Sequence, residues 1–252
     1  MRTNPKLLSI LGYLLILTVG AGSRFINPEE IKASEQWNLF TTLPPISSES
    51  QETVLGAQDL YSGSTVLPIQ GDMVLAPVNK FNALPSSYVP SGLTAISGVP
   101  GSSGEYLRGS ILPYFYQLIG AAKQAGFNLS VVSAYRSYQT QVATFNYWVA
   151  QYGYAVATTG SALPGHSEHQ LGTTVDLGLV GDPDFTAFTA HPVAEWVAKN
   201  SYKFGFVVSY PKGKQAITGY IWEPWHVRWV GVELATKLYQ SGLTLEEYLQ
   251  RL

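Results

Sequence analysis

The sequence predicts an α+β fold in which helices pack around a small, mostly antiparallel β-sheet. Three observations lead to this class. Helical and strand patterns alternate along the chain without a regular β-α-β repeat, which argues against a parallel sheet. The later strand patterns are separated by a short turn that suits an antiparallel hairpin. Apolar residues make up 46% of the 252 residues, enough for one well-packed core.

The first helices and the first core strand are predicted between residues 112 and 153. A helix is predicted over 112–125, because Pro113 is tolerated in a first helical turn and Gly126 supplies a left-handed stop. Residues 129–134 are typical of a strand. Ser137 can then cap a second helix, which we expect to end at Gly153.

Residues 155–168 are small, polar and glycine-containing, and they predict a loop that delivers His169. The elements expected after it are a buried strand over 175–179, a helix over 192–203, a strand over 206–210, a turn over 211–214 and a partner strand over 217–222. Thr244 and Glu247 have the spacing of a capping box, which predicts a last short helix.

The chain divides into three predicted segments. Arg2 and Lys6 precede an uncharged run, so residues 1–22 are interpreted as a signal peptide or N-terminal membrane anchor, and the short run favours cleavage. Residues 23–71 lack sustained periodicity and predict a low-complexity tether, although an extension packed on the domain is an alternative. The chemistry is then expected in residues 72–252, in an exported protein.

Charge and composition exclude several classes of function. The net charge is −2 and no basic cluster is present. The chain therefore lacks the positively charged surface that binding nucleic acid requires. The chain contains no cysteine, which excludes a disulfide framework, a thiolate metal site and a cysteine nucleophile. Any metal ion must therefore be held by nitrogen and oxygen.

Two short motifs carry the chemistry. His169 and Asp176 are seven positions apart, with Gly172 between them to allow a tight turn. Alone, such a pair would more often be an ordinary surface pair. The second motif, Glu223-x-x-His226, changes this interpretation, because a catalytic zinc ion takes three nitrogen or oxygen ligands and leaves one position open for water. His169, Asp176 and His226 would complete the metal shell, and Glu223 is left as the base.

The spacing of the second motif restricts its local structure. Glu223 and His226 would point to opposite sides of a flat strand, and Pro224 cannot donate to a sheet ladder, so we expect a bulge or a strand end. Around one ion, the coordinating atoms of the three ligands should lie within about 3 to 4 Å of one another. The alternative is an aromatic-rich edge strand with core tryptophans and solvated charges.

These motifs resemble those of the VanY-type zinc D-alanyl-D-alanine carboxypeptidases, relatives of lysostaphin-class and hedgehog-class zinc folds. The central pattern is Ser167-x-His169-x-x-Gly172-x-Thr174-x-Asp176 with Glu223-x-Trp225-His226. Further similar segments are Val78-Asn79-Lys80, Leu84-Pro85-x-x-Tyr88-Val89-Pro90, Ser133-x-Tyr135-Arg136-Ser137 with Gln141, Tyr210-Pro211-Lys212-Gly213-Lys214 and Thr218-Gly219-Tyr220-x-x-Glu223-Pro224-Trp225-His226-x-Arg228. The resemblance spans about residues 72–252. Thr174 and Ala134 replace a usual alanine and glycine, and since both are small we expect an intact site.

The resemblance implies a Zn²⁺ centre on the sheet, with His169, Asp176 and His226 as metal ligands and Glu223 as catalytic base. It also implies that Arg136 faces the substrate. A guanidinium has a fixed charge and a forked shape, which suits either a developing oxyanion or a terminal carboxylate.

The implied function is a zinc-dependent carboxypeptidase, of DD or LD specificity, that trims peptidoglycan stem peptides by attack of zinc-bound water. Ser167 and Gln141 would add hydrogen bonds to the peptide. The alternatives are a peptidoglycan endopeptidase or dipeptidase, and a non-catalytic cell-wall-binding zinc module. We expect a monomer in the periplasm or cell envelope, or one anchored to the membrane and facing the wall.

The two remaining histidines are not expected to bind metal. His166 lies three residues before His169, in a position that the family pattern leaves variable, and we interpret it as a residue at the rim of the site. His191 precedes Pro192 at a predicted helix start, where a structural or solvent contact is expected.

Overall fold

The computed structural model describes residues 63–252. The predicted signal peptide or anchor over residues 1–22 lies outside the described residues, as does most of the predicted tether. Within the described part, no helix combines the length and the apolar character that crossing a membrane requires.

The secondary structure is mixed, as predicted. The strands are β1 (Thr65–Val66), β2 (Asn82–Ala83), β3 (Leu93–Ala95), β4 (Tyr106–Arg108), β5 (Leu129–Ser133), β6 (Thr174–Leu179), β7 (Phe206–Val208) and β8 (His226–Trp229). The α-helices are α1 (Leu112–Gln124), α2 (Tyr138–Tyr152), α3 (Tyr154–Gly160), α4 (Phe185–Ala190), α5 (Val193–Asn200), α6 (Gln215–Thr218), α7 (Val232–Ser241) and α8 (Leu245–Leu249). Short 3₁₀ helices span Glu168–Leu171 and Ser201–Phe204.

The central sheet has four strands in the order β5-β6-β8-β7, and every neighbouring pair is antiparallel. This confirms the predicted small antiparallel sheet. In the register of β6 and β8, Asp176 lies directly opposite His226. On the other side of β6, a register shift in β5 places Ser133 opposite Asp176. The sheet therefore brings together side chains from three separate parts of the sequence.

Alternation along the central strands gives the sheet one apolar face and one polar face. On β6, Val175 and Leu177 are fully buried in the main core, so Asp176 between them points to the opposite face. On β8, Val227 joins the same core, which places His226 and Arg228 on the face of Asp176. The period of two thus separates the packing residues from the polar ones.

Helix α1 covers the apolar face. Its buried residues, Leu112, Phe115, Leu118 and Ala122, recur at helical spacing and belong to the main core. Pro113 lies in the first turn and Gly126 has a φ of +88°, as predicted from the sequence. Replacing the fully buried Phe115 by alanine would cost about 3 to 5 kcal/mol. The strands that carry the polar face are held from beneath by this packing.

The helix caps follow the sequence signals. Ser137 is the N-cap of α2 and accepts a hydrogen bond from the Thr140 backbone nitrogen, while Gly153 ends the helix at a φ of +76°. The capping box of Thr244 and Glu247 forms with both of its hydrogen bonds. These parts of the prediction are confirmed.

Two predicted elements are wrong. Residues 155–168 do not form one loop, because α3 occupies the first part of that stretch. Residues 217–222 are not the partner strand of β7, which pairs instead with β8. The reason is local: the chain after Lys214 closes into α6, and Gly219 ends that helix in the left-handed region at a φ of +74°. Helices α4 and α7 were not predicted.

The chain before the sheet lies against the domain. Strand β1 pairs in parallel with β2, so the last residues of the predicted tether are in contact with the next segment. The Leu84 nitrogen donates to the Gly165 carbonyl oxygen at 2.8 Å, and Asn79 donates through Nδ2 to Glu246 of α8 at 2.5 Å. Residues 74–84 therefore connect the loop before the first 3₁₀ helix with the C-terminal helix.

Candidate metal centre

Each proposed ligand stands on a different element. His169 is carried by the 3₁₀ helix Glu168–Leu171, which ends at Gly172 with a φ of +68°. A side chain at Gly172 would also press on Leu93 and Pro90, so this glycine allows both the turn and the close packing. Asp176 lies in the middle of β6, and His226 is the first residue of β8. The strand end predicted at His226 is confirmed.

The three side chains converge at one point. All three are buried, and their ligand atoms lie within 4.8 Å of one another. His169 Nε2 is 3.1 Å from Asp176 Oδ2, and His226 Nδ1 is 3.0 Å from Asp176 Oδ1. These two distances match the expected 3 to 4 Å, while the full span is slightly wider than expected. The convergence itself, over a stretch from residue 169 to residue 226, is as predicted.

Hydrogen bonds on the outer edges fix the direction of both imidazoles. Nδ1 of His169 lies 2.6 Å from the carbonyl oxygen of Ala134, which can only accept, so this nitrogen carries the hydrogen. The lone pair on Nε2 then faces Asp176. Nε2 of His226 lies 3.0 Å from Glu168 Oε2, which directs Nδ1 to the same aspartate. Acceptor atoms that face one another in a buried site are an arrangement that a cation stabilises.

The donor set fits zinc. Two imidazole nitrogens and a carboxylate are its usual ligands in catalytic sites, and each imidazole donates its other N–H outward, as metal-bound histidines do. The electrostatics point in the same direction. Burial lowers the pKa of His226, but hydrogen bonds and charges from Asp176 and Glu168 outweigh it and raise that pKa to about 10. The pocket therefore strongly favours positive charge.

Glu168 is the outer anchor of this arrangement. Its Oε1 accepts from Arg228 Nη1 at 2.7 Å, and its Oε2 faces His226. Burial alone would raise the pKa of Glu168, but Arg228 and His226 lower it to about 2. Arg228 also donates through Nη2 to the carbonyl oxygens of Val74 and Ala76. The N-terminal segment is thus connected to the candidate ligand His226 through two side chains.

Glu223 stands beside the triad without belonging to it. Its Oε2 is 4.0 Å from His226 Nδ1, and the turn that holds it is closed by the His226 nitrogen donating to the Glu223 carbonyl oxygen at 3.2 Å. Burial raises the pKa of Glu223 to about 8, with His226 opposing the rise and Asp176 adding to it. A carboxyl group with a pKa near neutrality can both accept and return a proton.

Arg136 lies beside Asp176, near the Oδ2 atom that also faces His169. Its Nη1 donates to Gln141 Oε1 and its Nη2 to Ser133 Oγ, each at 2.9 Å, and Nη2 is 3.6 Å from Asp176 Oδ2. Gln141 is 1% exposed, and its Nε2 donates to the Ala162 carbonyl oxygen at 2.7 Å. The amide of Gln141 is therefore used to hold Arg136 in place.

A comparison with known families shows which family the chain belongs to. The model of the VanY family, described as D-alanyl-D-alanine carboxypeptidase, matches residues 104–232, which is more than half of the chain. The chain belongs to the VanY family. It is a hydrolase of the carboxypeptidase class, and the predicted resemblance and enzyme class are confirmed.

Relatives and solved structures agree with this assignment. A D-alanyl-D-alanine carboxypeptidase of Enterococcus faecalis is 38% identical over 223 residues, covering 83% of this chain and 80% of the relative. The LdcB LD-carboxypeptidase superposes with a TM-score of 0.66 at 36% identity, covering 74% of this chain and 94% of the other. A variant of a VanY D,D-pentapeptidase in complex with Zn(II) superposes with a TM-score of 0.61 at 40% identity, covering 70% of this chain and 98% of the other. A zinc-containing family structure and a converging donor set confirm zinc as the cofactor.

The remaining residues singled out from the sequence of this VanY-family chain are Ser167, His166 and His191. Ser167 is buried and is the N-cap of the 3₁₀ helix that carries His169. His166 does not lie at an open rim: it is 5% exposed, and its Nδ1 is 2.7 Å from the Asn79 carbonyl oxygen. His191 has the expected structural role, because its Nδ1 accepts from the Val193 nitrogen at 3.2 Å.

Sequence reasoning missed Glu168 as a residue of the centre and assigned no role to Arg228. For Arg228 a signal was available, because the period of two on a strand starting at His226 places residue 228 on the same face. For Glu168 the local pattern gave none. Its carboxylate is directed by the 3₁₀ helix toward a strand 58 positions away.

Proposed function

We propose that this chain removes the C-terminal D-alanine from peptidoglycan stem peptides. The observation that carries the proposal is the buried convergence of His169, Asp176 and His226, with Glu223 beside His226 and Arg136 beside Asp176. Support for the substrate comes from the relatives. One is named a D-alanyl-D-alanine carboxypeptidase, and another is an LD-carboxypeptidase whose structure concerns peptidoglycan recognition.

His169 through Nε2, Asp176 through its carboxylate and His226 through Nδ1 would hold the zinc ion. When bound, zinc supplies an activated water molecule and polarises the scissile carbonyl group. The chain's part is to keep these three ligand atoms in a fixed, buried arrangement. Ala134 and Glu168 do so by holding the outer nitrogens of the two imidazoles.

Glu223 moves the proton. Its Oε2 takes a proton from the attacking water and gives it to the leaving amine nitrogen as the C–N bond breaks, so the carboxylate is regenerated in each cycle. Burial raises its pKa to about 8, and the positive charge of a bound zinc ion would lower that pKa, which makes the carboxylate available to accept the proton near neutral pH. Its position next to His226, but outside the ligand set, leaves it available for this role.

Arg136 binds the substrate. Its guanidinium is held by Ser133 and Gln141, and its side chain is 16% exposed, so one edge can still be reached by a ligand. A fixed, forked cation beside the metal ligands can bind the terminal carboxylate or the oxygen of the scissile carbonyl. We propose that Gln141 acts through Arg136 and that Ser167 donates to the peptide.

The link of the LdcB LD-carboxypeptidase with peptidoglycan recognition supports action at the cell wall, and we propose this site of action for this chain, as an exported monomer. Membrane association would then depend on residues 1–22.

The test is a product assay on defined peptides. The zinc-loaded full chain is incubated with stem pentapeptide and stem tetrapeptide, and released D-alanine is measured by mass spectrometry. Matched peptides ending in L-alanine or in an amide show whether stereochemistry and the free carboxylate are required. Release from the pentapeptide identifies DD activity, and release from the tetrapeptide identifies LD activity. If protein of verified zinc content releases D-alanine from neither peptide, the proposal is wrong.

A further inference from the structure

One face of the His226 imidazole is covered by a stack of side chains, Tyr210, Tyr220 and Lys80, here called the aromatic column. The ring of Tyr210 lies 4.7 Å from the imidazole, centroid to centroid, with 28° between the planes. The ring of Tyr220 lies behind it at 4.3 Å. Lys80 places Nζ 3.7 Å from the centre of the Tyr220 ring. The column therefore runs without a break from the N-terminal segment to a candidate ligand.

The aromatic column restrains tilting of the His226 ring out of its plane, a motion that the polar contacts of the ring nitrogens restrain only weakly. The hydrogen bond of His226 Nε2 with Glu168 and the contact of Nδ1 with Asp176, each 3.0 Å, act near the plane of the ring and fix its direction within that plane. A tilt out of the plane lengthens them only gradually. A ring packed flat against the imidazole opposes that tilt directly, and the His169 ring adds an edge-to-face contact at 5.0 Å.

The chain is built to keep the column in place. Tyr210 and Tyr220 are both buried, and they form a small core cluster with Ala162, apart from the main core. Lys80 is fixed by donating through Nζ to the Thr158 carbonyl oxygen at 2.6 Å. Gly219 leaves room for the stem of Lys80, since a Cβ at this position would collide with it.

We propose that Tyr210 is a positioning residue for the metal ligand His226, and that Tyr220 and Lys80 hold Tyr210 in place. The Tyr210 ring is stacked on the ligand His226, and Tyr210 meets Glu223 only through its backbone carbonyl oxygen, which accepts from the Glu223 nitrogen at 3.0 Å. A change of the Tyr210 side chain should therefore appear first in metal affinity. The inference rests on the proposed zinc site. Loss of an outer contact to a metal ligand typically weakens metal binding by about 10- to 100-fold, and a stacked ring without a hydrogen bond belongs at the lower end.

The test compares zinc affinities, measured by competition with a chromophoric chelator. Tyr210→Leu removes the flat ring and should weaken zinc binding about 10-fold, while Tyr210→Phe keeps the ring and should stay within about twofold of the wild type. The matched control is Tyr239→Leu, because Tyr239 is stacked on Tyr202 at 4.0 Å, outside the column. Its zinc affinity should not change.

Wild-type affinity in Tyr210→Leu overturns the proposal, and so does an equal loss in Tyr210→Phe, which would assign the effect to the hydroxyl group. If Tyr210→Leu does not fold, Lys80→Met carries the test. It should weaken zinc binding about threefold through loss of the cation–π contact, with Lys80→Arg restoring affinity; an unchanged affinity in Lys80→Met overturns the proposal. His226→Ala tests the zinc site separately from the role of Tyr210. If this variant binds zinc normally, the assignment of His226 as a ligand is wrong.

Discussion

Replacing Glu168 by glutamine should lower the zinc affinity of the site although none of the proposed metal ligands is changed. The substitution keeps the size of the side chain but removes the negative charge that His226 Nε2 and Arg228 Nη1 face at 3.0 and 2.7 Å. Because Arg228 has a side chain only 1% exposed, it would be left as a buried cation without its carboxylate. Losing one member of a buried ion pair costs about 3 to 5 kcal/mol.

The pKa of Glu168 gives a second route to that magnitude. Burial opposes the shift, but Arg228 and His226 lower this pKa from 4.5 to about 2. A difference of this size corresponds to on the order of 3 kcal/mol of folding stability. Because the folded pKa is the lower one, this stability is fully present above pH 4.5 and is lost as the pH falls toward 2. The stability difference between wild type and Glu168→Gln should therefore narrow over that interval.

Two measurements check the reasoning. Chemical denaturation at a series of pH values gives the stability difference, and chelator competition gives the zinc affinity, which should fall about 10- to 100-fold. The matched control is Glu233→Gln, which removes a carboxylate from the exposed pair with Lys237 and should leave zinc affinity unchanged. If Glu168→Gln binds zinc as the wild type does, Glu168 does not hold the ligand. A stability difference that stays constant down to low pH would refute the electrostatic explanation.

Three further predictions concern other parts of the chain. Glu223→Gln should lower turnover by about 10²- to 10⁴-fold with unchanged zinc stoichiometry, measured by D-alanine release and metal analysis; metal loss would mean that ligand and base had been exchanged. Arg136→Lys should lower kcat/KM on the order of 10²-fold with unchanged zinc content, and equal activity would remove Arg136 from the site. A chain beginning at Gly71 should remain folded and active by circular dichroism and peptide assay, whereas unfolding would show that the preceding residues belong to the core.

The parts of the site that could be predicted from the sequence are those formed by residue types that are rare in this chain. With four histidines and no cysteine, the candidates for a metal centre were few, and the spacing of His169 and Asp176 around Gly172 was informative. Local signals also predicted α1, α2 and α8, because proline, glycine and capping residues act on the backbone within a few positions.

The parts that sequence could not predict depend on distant contacts. Strand β8 lies between β6 and β7 in the sheet, and this order depends on contacts between strands that are far apart in the sequence. The segment after the turn at residue 211 gave no sign that it would form α6. Glu168 is similar, since its role is decided by Arg228 and His226 on a strand far along the chain. Such contacts join distant parts of the chain, and they do not alter the local pattern of apolar and polar residues from which structure is predicted.

The contacts of Arg228 with the carbonyl oxygens of Val74 and Ala76 span 154 and 152 sequence positions, and those of Asn79 with Glu246 span 167. We expect contacts that close such long loops to form late in folding, because the entropy of loop closure must be met before these contacts contribute. Arg228, which holds the Glu168 carboxylate behind His226, would then gain its full set of partners only when the two ends of the domain have met. Acquisition of tight zinc binding should mark the last step of folding, after the helices and the central strands are already in place.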